Sequence, residues 1–105
     1  MEIHRYITFP TADSPREVNL TCPIRPGALS DSYRVEWQSR IPGSDAGSDI
    51  IRIFDTEHYD ITEDIDSTSL HQYQCRVTIQ HSSDESKTYD GPTIILNKIG
   101  KIVLM

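Results

Sequence analysis

The sequence has little of what catalysis, nucleic-acid binding or membrane insertion requires. Its 105 residues hold ten basic and sixteen acidic side chains, for a net charge of −6. No two basic residues are adjacent. Nucleic acid and anionic membrane both reward a basic face, so neither is expected as the main partner. No apolar stretch approaches the length needed to cross a bilayer, and Met1–Arg5 lacks the apolar region of a signal peptide. None of the serines sits in a glycine-flanked nucleophile elbow. There is no phosphate-cradling loop, no paired catalytic carboxylates in a plausible cleft and no CxxC motif. The expectation is a protein that is not an enzyme and carries no cofactor.

Metal-binding patterns are missing too. His4, His58, His71 and His81 show no close spacing suited to zinc and read as rim residues. Asp60, Glu63, Asp64 and Asp66 are numerous enough to raise calcium, which needs six to eight oxygens converging on a point. A strand would spread these side chains along one side and around a corner, without a glycine to tighten the turn. They read as a solvated acidic face. Asp45 with Asp49, and Asp84 with Glu85, read as polar loop residues.

What is present is alternation. From Gln72 to Ile79, apolar or aromatic groups at Tyr73, Cys75, Val77 and Ile79 interleave with polar ones. A period of two predicts a strand with one buried and one wet face. Val18, Leu20, Cys22 and Ile24 repeat the pattern over Glu17–Ile24, and Tyr33, Val35 and Trp37 repeat it over Tyr33–Arg40. Further strands are expected within Ile3–Phe9, over Ile50–Asp55, around Tyr59–Ile65 and from Thr88 to Asn97 with a break at Gly91-Pro92. Pro23 has no N–H, so pairing should lapse beside Cys22. Ile50–Asp55 is apolar at nearly every position, which predicts burial on both faces. About 36% apolar content fits an all-β sandwich of this length, with one core. Two cysteines at inward positions leave two readings, one disulfide or two separate buried thiols.

Cysteine, then tryptophan, then Tyr-x-Cys, each on its own strand, resembles the pin of an immunoglobulin-superfamily domain. The resemblance spans most of the chain. It implies a two-sheet antiparallel sandwich with one inter-sheet disulfide, Cys22–Cys75, packed against Trp37. Residues 1–105 would be a single domain of the intermediate or variable-like set, with at most one additional edge strand. Residues 99–105 would be a linker or the start of a neighbouring segment. Tyr73 would form a corner, its hydroxyl bonded to the turn that precedes it; the other reading is an ordinary strand tyrosine whose hydroxyl meets water. Two positions depart from the family pattern. Ser69 stands where an acid usually pairs with an arginine, and His71 where a small residue is usual, so the family's buried ion pair is not expected.

The disulfide would imply an oxidising compartment. The resemblance implies an extracellular recognition or adhesion module of a membrane-anchored or secreted protein, receptor tyrosine kinases included. Its partner would be a protein ligand or a second copy of the chain. The alternative is a structural repeat that acts as a spacer or bears load without a ligand. A carbohydrate binder would need an aromatic platform, and Tyr6, Phe54, Tyr59 and Tyr89 are dispersed. Asn19-Leu20-Thr21 is a glycosylation sequon on the outward side of its strand. Partner contacts are expected at the Arg25–Ser32 and His81–Lys87 loops, through Arg25, Asp31, Asp84, Glu85 and Lys87. Ile50–Phe54 offers a second route, a homophilic or lateral edge contact giving a homodimer.

Overall fold

The computed structural model describes residues 2–9, 15–25, 32–43, 47–66, 70–82 and 85–99. Eight strands follow one another: β1 (Glu2–Ile7), β2 (Arg16–Thr21), β3 (Ser32–Arg40), β4 (Asp49–Phe54), β5 (Asp60–Ile65), β6 (Gln72–Ser82), β7 (Glu85–Asp90) and β8 (Thr93–Lys98). Among the described residues there is no helix. Six strands make one sheet, ordered β1-β8-β6-β3-β4 with β7 also on β6, and β2-β5 make the other. The fold is a two-sheet all-β sandwich.

Alternation positions the core. β2 contributes Val18 and Leu20, and β5 contributes Ile61 and Ile65. The larger sheet answers with Val35, Trp37, Tyr73, Cys75, Val77, Ile79, Ile94 and Leu96, all buried. Each fully buried aliphatic side chain is worth about 1.5–3 kcal/mol relative to exposure. Cys22 and Cys75 are bonded, with S–S 2.07 Å and Cα atoms 5.5 Å apart. That bond ties the small sheet to the large one. Trp37 lies directly opposite Cys75 on the neighbouring strand and is fully buried in the same cluster.

β7 and β8 lie along the same side of β6 and form one interrupted strand. Arg76 pairs with Asp90 and Tyr73 with Ile94, so three steps along β6 match four along its partner. The additional residue is a bulge at Gly91-Pro92, where the Gly91 N–H donates to the Cys75 carbonyl at 2.9 Å. A Cβ on Gly91 would stand 3.2 Å from that same carbonyl oxygen, which explains the glycine. β2 stops at Thr21, just before Pro23, and a last bond runs from the Cys22 N–H to the Tyr59 carbonyl.

Several features differ from the reading of the sequence. β1 pairs with β8 in parallel, the one parallel ladder among the described residues. Pairing between the two chain ends leaves no local signal. β6 runs on to Ser82 and β7 starts at Glu85, so Glu85 and Lys87 are strand residues and not part of a long loop. β4 is not buried on both faces. It is an edge strand, with Ile50 and Ile53 exposed and only Ile51 and Phe54 half-buried. The edge position fits the expected lateral contact, since among the described residues only β3 pairs with it.

Candidate functional site

Strand directions bring several segments to one end of the sandwich. Thr21 pairs with Asp60, Ser32 with Gln80, and Ser82 with Glu85. The strand ends at Thr21, Ser32, Asp60, Ser82 and Glu85 therefore point toward that end. Among the expected contact residues, Asp31 and Asp84 lie outside the described residues. Glu85 and Lys87 are exposed on β7. Arg25 is not a free charge: its guanidinium lies over the Tyr59 ring, 5.0 Å from the centroid.

The contribution of residues 54–59 to this end was not anticipated from the sequence. Phe54 and His58 bring their rings to 4.3 Å, and the Tyr59 hydroxyl donates to Glu57 Oε1 at 3.2 Å. Partial burial, and next the Glu57 carboxylate, raise the Tyr59 pKa above its ordinary value. Two hollows border this end. One, of about 430 Å³, is lined by Ser32, Tyr33, Arg34, Asp55 and Gln80 among others. The other, of about 580 Å³, runs past Asn19, Thr21, Arg52, His58, Asp60 and Thr62. Both are open, the first mainly polar and the second half apolar through Phe54 and Ile61, shapes that suit contact with a protein surface better than enclosure of a small molecule.

The outer face of the six-stranded sheet is a ladder of paired polar groups. Arg34 meets Glu36 at 3.1 Å and Arg76 meets Asp90 at 2.6 Å. Arg40 donates to Gln72 Oε1 at 2.9 Å, Gln74 to the Gly91 carbonyl at 2.9 Å, and the Thr78 and Thr88 hydroxyls lie 3.2 Å apart. Arg76 and Asp90 face one another across the β6–β7 ladder, and such a pair favours its register and contributes modestly.

Asn19 is exposed on the outer face of the small sheet, and its Oδ1 accepts from the Thr62 hydroxyl at 2.8 Å. Thr21, the third residue of the sequon, is exposed on the same face. Tyr73 is buried, and burial, followed by the nearby Glu63 charge, raises its pKa. Of the turn Asp66–Ser69 to which a corner would bond, residues 67–69 lie outside the described residues.

Glu63 corrects the reading of a uniform acidic face. Asp60 and Asp64 are exposed, whereas Glu63 lies on the inward side between Ile61 and Ile65. Its Oε1 lies 2.8 Å from Arg52 Nη2 across the gap between β5 and β4. The angle there falls outside hydrogen-bond geometry, so this buried oxygen is held by charge alone among the described residues. Among the described residues, no cluster of histidine, cysteine and carboxylate side chains is arranged to hold a metal ion. No helix among them is long and apolar enough to cross a membrane. No protein-family model matches the chain, and no curated protein is found to be similar to it.

Proposed function

We propose that the chain is an immunoglobulin-like extracellular recognition module, part of a cell-surface receptor or adhesion protein, whose partner is another protein. The observation that carries this reading is the Cys22–Cys75 bond between the two sheets. A structural disulfide belongs to an oxidising compartment. Loops on a rigid scaffold vary and bind without unsettling the core. The exposed Asn19 and Thr21 leave room for a glycan on the small sheet, away from the polar ladder of the large one. A structural spacer would share this scaffold and would have no partner at the loop end.

The test is a binding screen against cell-surface proteins with the chain in its parent ectodomain. Asp84→Lys with Glu85→Lys should weaken capture of the partner and leave the melting temperature nearly unchanged. Glu17→Lys with Asp64→Lys, at the far end of the small sheet, serves as control. Loss of binding in the control alone would move the site from the loop end to the small sheet. No capture by the intact ectodomain would favour the spacer.

A further inference from the structure

In a regular strand, residues three apart face opposite ways. Ile50 and Ile53 do not. Gln38 pairs with Ile50, Trp37 with Arg52 and Glu36 with Ile53, and the register shift between Trp37 and Gln38 leaves Ile51 as an additional, bulged residue. Glu36 and Gln38 alternate with the buried Val35 and Trp37, so they look outward. Cross-strand partners share a face. The bulge therefore turns both isoleucines onto the outer face of the large sheet, 54% and 44% exposed. Natural edge strands are usually blunted by outward charge or proline. This one presents isoleucine.

Two of the charges nearby are answered, while Asp49 and Asp55 stand exposed at the two ends of the strand. Arg52 faces the other way, to Glu63, and Glu36 is paired with Arg34. Two copies of a chain with net charge −6 repel at long range. Over the middle of β4, from Ile50 to Ile53, that repulsion has little to act on, because the outer face there is apolar. The strand is also close to self-complementary. A two-fold axis between Ile51 and Arg52 would set Ile50 opposite Ile53 of a second copy, and Ile53 opposite its Ile50.

We propose that a second copy of this chain docks here, β4 beside β4 and antiparallel, so that the two large sheets become continuous. The edge N–H and C=O groups of the two strands pair, and four isoleucines gather on one face. The Arg52 guanidinium gives up the Ile51 carbonyl to which it donates at 2.8 Å. Such an interface is isologous and closes at the dimer. It is separate from the loop end, so either reading can fail without the other.

Sedimentation of the whole chain from micromolar to millimolar concentration should show a reversible dimer. Amide shifts that depend on concentration should centre on Asp49–Phe54. Ile50→Lys with Ile53→Lys should weaken the dimer by about tenfold or more, since it places like charges opposite one another. Ile50→Thr with Ile53→Thr keeps β-branched residues in the strand and should weaken it less, which guards against misfolding of the lysine pair. A strict monomer at millimolar concentration would overturn the proposal. So would a dimer indifferent to both pairs, or one whose shifts centre on another strand. If the lysine pair abolished capture of a different protein while the native chain stayed monomeric, the edge would belong to that protein.

Discussion

Trp37 concentrates the physics of this core in one side chain. It is fully buried opposite Cys75, yet its indole N–H has no hydrogen-bond partner among the described residues. Tryptophan usually reaches a partner when buried, so part of what its ring contributes is offset by a desolvated donor. Trp37→Ala should cost about 3–5 kcal/mol in denaturant melts, as a large cavity opens. Trp37→Phe should cost clearly less, because it removes the unsatisfied N–H along with part of the volume. A Phe variant as damaged as the Ala variant would mean that the N–H is bonded. Trp37, Cys22 and Cys75 were legible because alternation alone places them inward. Glu63 was not, although the signal was present: it lies midway between Ile61 and Ile65. A carboxylate at an inward position is readily grouped with its acidic neighbours when its cation, Arg52, is on another strand.

Single strands were legible wherever one face is buried, because period-two patterning needs no knowledge of neighbours. Pairings were less so. The parallel contact of β1 with β8 joins the two ends of the described chain, and the bulge at Ile51 depends on how β3 presents its backbone. Three arginines then fasten the open sides of the sandwich. On one side Arg5 donates to the Asn19 carbonyl and Arg16 to the Thr8 carbonyl, holding β1 near β2. On the other, Arg52 and Glu63 bridge β4 and β5. Arg52 is half exposed, so water screens the pair and reduces its worth. Removing only the cation still strands a largely buried carboxylate. Arg52→Ala should therefore destabilise by about 1–2 kcal/mol, less than the loss of a fully buried partner. Adding Glu63→Leu should recover most of that in the double variant. If the two losses simply added, the ion pair would not couple the sheets.

At the scale of the molecule the two sheets are unequal. β3 and β6 have paired neighbours on both sides, whereas among the described residues β2 and β5 have only each other. Two strands alone are at best marginal in water, so the small sheet depends on its packing against the large one. The Cys22–Cys75 bond, closing a loop across 53 residues, secures that packing. Such a cross-link contributes roughly 4 kcal/mol by restricting the unfolded chain. Hydrogen exchange should then fall into two classes. Amides of β3 and β6 should be the slowest to exchange, through global unfolding. Those of β2 and β5 should exchange earlier, through local opening. Reduction of the disulfide should lower the denaturant midpoint and speed exchange in β2 and β5 more than in β3 and β6. Equal acceleration throughout would mean that the sandwich opens as one unit. Unchanged exchange in β2 and β5 would mean that Leu20, Ile61 and Ile65 hold the small sheet in place without the bond.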